Sequence, residues 1–184
     1  MSFLEEIQGI ENSEVMESLL WGFLDKNGYK IGNIQHENDI FVKNFLCSIL
    51  DEIKSLFRKY DMIFREKYLP PPTSAQPFPD AKAVAIAKKI KNTINALEEL
   101  EVSLRNSKTI HDSHLVTTRP SFEELKPLLK ADVAIGCSII SLYQYLYKNS
   151  IQEQFEKSKY QENNDIFESL VKDIQEKLNN RNLL

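Results

Sequence analysis

Residues 83–104, AVAIAKKIKNTINALEELEVSL, carry one of the clearest apolar patterns in the chain and decide its fold. Apolar side chains recur there every three or four positions, the period of an amphipathic α-helix. The stripe consists of Ala83, Ile86, Ala87, Ile90, Ile94, Leu97, Leu100 and Leu104. Asp80 precedes it and can cap the helix. Lys88, Lys89 and Lys91 lie mostly off the stripe and mark either a solvated face or a phosphate-contacting patch.

A proline-rich segment precedes this helix. Residues 69–80, LPPPTSAQPFPD, hold five of the seven prolines, so a helix cannot pass through them. We expect an extended crossover strap that Phe78 packs down onto the bundle. A docking motif for a proline-recognition partner is the alternative interpretation.

The N-terminal half shows the same helical period. Residues 3–24 indicate one amphipathic helix or a broken pair, with Ser13 as an internal N-cap. A second helix is expected over about 38–68, with an apolar stripe that begins at Ile40 and Phe41 and includes Asn44.

In the C-terminal half, Ser121 and Glu124 have the spacing of a capping box and mark a helix start. Pro127 predicts a kink or a restart of that helix. Residues 128–147 are apolar on nearly all sides, which is typical of a helix at the centre of a bundle or covered by a second subunit. A final helix is expected over about 165–178.

These patterns predict an all-α bundle of about five helices that forms a single domain over residues 1–184, with helical halves 1–68 and 81–184. The net charge of −4 is mildly acidic, so any contact with RNA must be local. The sequence shows no signal peptide and no apolar run that could cross a bilayer. We therefore expect a cytoplasmic protein without membrane association.

The cysteines and histidines offer little other chemistry. Cys47 and Cys137 lie inside apolar helical patterns, which is typical of small buried hydrophobic residues. The chain has no CxxC pair and no His/Cys cluster, so we predict no metal site and no cofactor. It also lacks a Gly-rich phosphate loop and a GxSxG motif.

The apolar stripe leads directly into LRNSKTIH, residues 104–111, the segment best suited to chemistry. Arginine can hold a phosphate through paired N–H donors, and histidine titrates near neutral pH. Arg105 and His111 would lie about 120° apart around a continuous helix. A shared site therefore requires the helix to end before His111, or two copies of the motif to face each other across a two-fold axis.

The segment LRNSKTIHDSH, followed by PSFEELKPLL, resembles the Arg-x4–6-His signature of the HEPN-domain superfamily, and most closely an abortive-infection branch of it. The resemblance is most specific over residues 97–130. It implies an all-helical, metal-independent endoribonuclease that acts as a homodimer. Such a protein is often the toxin of a toxin–antitoxin or phage-defence pair and binds an antitoxin or another protein. Many members of the superfamily are instead non-catalytic dimerisation modules.

Carried over to this chain, the resemblance assigns three catalytic residues. Arg105 would hold the scissile phosphate, His111 would act as general acid or base, and Asn106 would orient the site. Lys108 and His114 would contact the RNA substrate. Ile110 departs from the pattern, since a small residue usually precedes the histidine.

Structural interpretations of the same residues stay open. Glu101 lies four residues before Arg105 and can form a surface ion pair with it. His111 lies seven residues after Leu104 and can be the last half-buried position of the stripe. The alternative function is a non-enzymatic helical adaptor that binds another protein through residues 128–147 or 165–178, with Phe167 and Leu170 as contacts.

Overall fold

Five α-helices and no strand make up the described part of the chain, and the expected all-α bundle is confirmed. The computed structural model describes residues 10, 12–26, 35–74, 78–107, 122–148 and 160–183. The helices are α1 (Ser13–Leu24), α2 (Gln35–Tyr68), α3 (Ala81–Arg105), α4 (Phe122–Lys148) and α5 (Tyr160–Arg181). None of these helices, as far as they are described, is both long and apolar enough to serve as a transmembrane segment.

Side-chain caps define the starts of two helices. The Asn12 side chain accepts hydrogen bonds from the backbone N–H groups of Glu14 (2.9 Å) and Val15 (3.4 Å), so Asn12 caps α1. The expectation that Ser13 is the cap was wrong by one residue, because both residue types serve equally well at this position. Asp80 caps α3 as expected and accepts from the N–H of Lys82 at 2.9 Å.

Helices α2, α3, α5 and α4 form a four-helix ring in which each packs against two of the others, and α1 packs on α4. Helices α2 and α3 are antiparallel. Two contacts near the ends of their interface show this, Lys43 to Ser107 and Arg58 to Glu98. One end of the bundle therefore brings together the start of α2 and the end of α3. Gly136 of α4 allows α1 to approach closely, since a Cβ atom there would lie 2.5 Å from Leu20 Cδ2.

Helix α4 packs against α1, α2 and α5, and these contacts within the chain favour the first of the two interpretations of its apolar pattern. The chain's own helices bury its apolar side chains, which are Leu128, Leu129, Val133, Ile135, Ile139, Ile140, Leu142, Tyr143 and Leu146. A single helix runs through Pro127, so the expected restart is absent. On α5, Phe167 packs edge-on against Phe57 with ring centroids 5.0 Å apart, and Leu170 is half-buried. Phe167 therefore belongs to the core, while the adaptor role expected for these two helices stays a prediction.

The α3 stripe is confirmed, whereas the first part of the α2 stripe is not. All eight residues of the α3 pattern are buried or half-buried. On α2, Ile40 and Asn44 are exposed while Val42 and Leu46 are buried. The start of α2 contacts α1 as well as the bundle, since Phe23 and Phe45 have ring centroids 4.8 Å apart. Because the start of α2 is contacted on two sides, its buried residues do not follow a single stripe.

The strap connects α2 to α3, its described residues are not helical, and residues 75–77 within it lie outside the described residues. Its beginning is held by Tyr68 and Leu69, which pack against the core. Phe78 is 81% exposed, so the expectation that it packs the strap down was wrong. The core contact at the start of the strap provides that anchorage instead.

Candidate functional site

Helix α3 ends within the predicted catalytic segment, residues 104–111. Arg105 is its last residue, and Asn106 is the C-cap with φ −90° and ψ 1°. The backbone N–H of Asn106 still donates to the carbonyl of Val102 at 3.0 Å. Both Arg105 and Asn106 are exposed. One of the two geometric conditions inferred from the spacing is thus met, since the helix ends before His111.

The Arg105 guanidinium forms the ion pair expected four residues along the helix. Its Nε lies 2.9 Å and its Nη2 lies 2.8 Å from Oε1 of Glu101. The hydrogen bond to Glu101 raises the pKa of Arg105, so the group stays a cation. Its side chain remains 48% exposed. A guanidinium has five N–H donors, so the exposed part of Arg105 can still meet an anion from solvent.

Glu101 connects Arg105 to a buried lysine. Its Oε2 accepts a hydrogen bond from Nζ of Lys54, and Lys54 also pairs with Oδ1 of Asp51 at 2.6 Å. The hydrogen bond from Lys54 holds the pKa of Glu101 below its ordinary value, and Arg105 adds to this effect against the opposing effect of burial. Burial works against the Lys54 ammonium, but its two carboxylate partners raise its pKa. Ionised Glu101 therefore links Lys54 to Arg105 and orients the Arg105 side chain.

Both cysteines have a thiol pKa above its ordinary value. Cys47 is buried, as expected, and burial raises the pKa of its thiol although the Arg105 cation acts in the opposite direction. Cys137 is only half-buried, and burial raises its pKa to about 11. Burial therefore disfavours the thiolate, which is the reactive form, at both cysteines.

A buried polar network fixes the end of α3 immediately after Arg105. Nζ of Lys43 donates to the carbonyl of Ser107 at 2.5 Å, and Oγ of Ser107 donates to the carbonyl of Leu104 at 2.7 Å. Nη1 of Arg181 donates to Oγ of Ser107 at 3.2 Å. Nε of Arg181 donates to Oδ1 of Asp132 at 2.5 Å, and both of these side chains are 1% exposed.

This network joins α2, α3, α4 and α5 at one end of the bundle. The last carbonyls of a helix lack intrahelical donors and carry the negative end of the helix dipole. Oγ of Ser107 supplies a donor to one of these carbonyls, that of Leu104, and Lys43 brings a positive charge to the carbonyl of Ser107 just beyond the helix. The position of Arg105 is therefore set by contacts beneath it as well as by its own ion pair.

Lys43, Asp132 and Arg181 were not singled out from the sequence. A signal existed for two of them, since Asp132 lies among the apolar residues of α4 and Arg181 follows Leu178 by three positions on the α5 stripe. A charged residue on an apolar stripe is rarely buried without a partner. The partners themselves are 49 and 74 residues away from Arg181 along the chain, at Asp132 and Ser107, and no local pattern identifies them.

Lys108, His111 and His114 lie outside the described residues. The pairing of Arg105 with His111, and the substrate contacts of the other two residues, therefore stay predictions. Within the described ranges, no group of three or more His, Cys, Asp or Glu residues is placed to hold a metal ion.

Comparisons of this chain with protein-family models, with curated proteins and with solved structures find no match.

Proposed function

We propose that the chain is a HEPN-like, metal-independent endoribonuclease of a toxin–antitoxin or phage-defence system. The observation that supports this best is Arg105, a cation that stays about half exposed at a helix end held by buried contacts. The paired N–H donors of a guanidinium match the oxygens of a phosphodiester. Such a reaction requires a positively charged group that is held in place and can bind the phosphate from solvent.

In the proposed reaction, the 2′-oxygen of a ribose attacks the adjacent phosphorus, so that a P–O2′ bond forms and the P–O5′ bond breaks. His111 takes the proton of the 2′-hydroxyl as general base or gives a proton to the departing 5′-oxygen as general acid, and water carries the other of these two proton transfers. Arg105 binds the phosphate and offsets the charge that develops on its oxygens. Asn106 orients the site, and Lys108 and His114 contact the RNA. The products are a 2′,3′-cyclic phosphate and a 5′-hydroxyl.

The active form in this proposal is a homodimer in which two copies of the motif face each other. The apolar face of α4 gives no support for such a dimer, because the chain buries that face itself. The exposed end of α3 is the surface that would have to meet its copy. Light scattering of the purified protein tests this directly, and a dimer that dissociates when Asn106 is replaced by Arg is the expected result.

The test uses purified protein, single-stranded RNA and DNA of the same sequence, and EDTA. We expect cleavage of the RNA alone, because only RNA has the 2′-hydroxyl nucleophile, and we expect cyclic phosphate termini. Arg105→Ala and His111→Ala should each remove cleavage. Arg58→Ala is the matched control, since Arg58 is also exposed and also pairs with a glutamate, Glu98 at 2.7 Å. RNA cleaved equally by all three variants would refute the assignment.

A non-enzymatic module that binds another protein is the second candidate. The observation that favours it is the exposed apolar surface of the strap, where Phe78 is 81% exposed. This surface differs from the helix faces expected from the sequence. A protein that leaves RNA intact but binds a partner through the strap would support this second candidate.

A further inference from the structure

A groove of about 540 Å³ lies between the strap and α3. We call it the strap groove and define it by Leu69, Pro70–Pro72, Pro79, Val84 and Ala87. Its walls are apolar on both sides, with proline rings on one and aliphatic side chains on the other. The prolines hold fixed backbone angles, so this wall loses little conformational freedom when a ligand binds.

Three cations line the same groove, namely Arg65 of α2 and Lys88 and Lys91 of α3. None of the described residues that line it is acidic. Arg65 is partly neutralised by Asp61, whose carboxylate oxygens lie 2.8 and 2.9 Å from its Nε, whereas both lysines are exposed. On a chain with a net charge of −4, the groove is a locally positive surface.

The dimensions of the groove indicate the kind of ligand. Val84, Lys88 and Lys91 follow one another at helical spacing and cover about 10 Å along the axis of α3. That length corresponds to about three residues of an extended peptide, at about 3.3 Å per residue. The apolar walls can hold one side chain of such a peptide. Carboxylates on the neighbouring residues of the peptide would then lie near Lys88 and Lys91.

Phe78 extends the apolar surface beside the groove. It is exposed and lines a smaller depression, so the same prolines face both cavities. The other residues that line this depression are Tyr68, Pro70–Pro72, Thr73, Pro79 and the acidic Asp80. Exposed aromatic residues are enriched where proteins contact each other. The ring of Phe78 and the shared prolines add apolar contact area for a peptide beside the groove.

We propose that the strap groove binds an acidic segment of a partner protein, with one apolar side chain placed between the strap and α3. Carboxylates on either side of that side chain pair with Lys88, Lys91 and Arg65. This binding site involves neither RNA cleavage nor Arg105, so it is a function separate from the proposed nuclease. An RNA ligand would satisfy the cations but would leave the apolar walls without a matching aliphatic group.

The test is selection from a random heptapeptide display library on the immobilised full-length protein. We expect enriched peptides with a central Leu, Ile, Phe or Trp flanked by Asp or Glu. The double variant K88E/K91E should weaken binding of a synthetic enriched peptide by at least about tenfold, because the rim then repels its carboxylates. The double variant K130E/K172E is the charge-matched control, since both of its lysines are exposed on other helices, and it should bind unchanged.

Val84→Asp tests the apolar wall without disturbing the core, since Val84 is 44% exposed, and it should also abolish peptide binding. Circular dichroism of each variant confirms that the helices are retained. Enrichment of basic or neutral peptides, or binding that K88E/K91E leaves intact, would overturn the proposal. The proposal would also be overturned if no peptide were selected and the protein bound phosphatidylserine vesicles through Lys88 and Lys91, so that K88E/K91E lost this binding. Because no assay here uses RNA, failure of the groove and failure of the nuclease are separate results.

Discussion

Two arginines at the same end of the bundle each form an ion pair, one at the surface and one in the interior. Arg105 and Arg181 each pair with a carboxylate, yet the Arg105 side chain is 48% exposed and that of Arg181 is 1% exposed. The exposed pair adds little to stability, because water and salt screen it. The buried pair must stay intact, because either partner alone would be a desolvated charge. Arg181 therefore maintains the fold, and Arg105 remains available for a ligand.

The largest effect is expected at the buried pair. Arg181→Ala leaves Asp132 without its guanidinium partner in the interior, and we expect a loss of about 3–5 kcal/mol in the free energy of unfolding. Urea unfolding followed by circular dichroism measures it. The control Arg58→Ala, which breaks an exposed pair, should change this free energy by less than about 0.5 kcal/mol. A loss below about 1 kcal/mol in Arg181→Ala would mean that the two regions do not differ as described.

A smaller effect is expected at the hydroxyl that links Arg181 to α3. Ser107→Ala removes the acceptor of Arg181 Nη1 and the donor to the Leu104 carbonyl, at a cost of about 1–2 kcal/mol. Ser141→Ala is the matched control, because Oγ of Ser141 also donates to a backbone carbonyl, that of Cys137 at 2.8 Å, but is exposed. The same urea titration should show a change in the control within about 0.5 kcal/mol. Equal losses in both would show that burial of Ser107 is unimportant.

A pH-dependent effect is expected at Glu101, which supports the exposed arginine. The pKa of Glu101 in the folded protein is lowered from its ordinary value of 4.5, so its stabilisation is present above that value and is lost as the pH falls through the folded-state pKa. At pH 7, Glu101→Gln should be less stable than the wild type by about 1 kcal/mol. Unfolding titrations from pH 7 to about pH 3 should show this gap closing. A gap that persists in acid would exclude the ionised bridge to Lys54 as its source.

The smallest effect on stability is expected at Arg105 itself. Arg105→Ala removes one exposed ion pair along a helix, so the free energy of unfolding should fall by no more than about 0.5 kcal/mol. Glu101 keeps its buried partner Lys54 in this variant, which limits the disturbance. Urea unfolding beside Arg181→Ala makes the contrast direct. Similar losses in the two variants would remove the distinction between them.

Local patterns in the sequence predict local structure well in this chain. The α3 stripe, the Asp80 cap and the Glu101–Arg105 pair all depend on residues within a few positions of each other, and all three are confirmed. The helical period fixes which side chains share a face, so no knowledge of the rest of the fold was required.

Contacts between distant residues could not be predicted in the same way. Lys43 meets Ser107 across 64 positions, and this contact depends on how α2 and α3 are placed in the bundle. Phe78 is expected to pack the strap down onto the bundle, but it is exposed, and Tyr68 and Leu69 hold the start of the strap instead. For the site, the sequence identified Arg105 and Asn106 at an exposed helix end, whereas the buried support beneath them required the packed structure.

The most direct test of the account is the single-turnover rate of RNA cleavage by Arg105→Ala, measured on the same preparation as its free energy of unfolding. We expect a stability close to that of the wild type and a rate lowered by about 100-fold or more, because one donor to a developing anion is removed. A folded variant that cleaves RNA at the wild-type rate would contradict the central claim. So would a variant that loses its activity only because it unfolds.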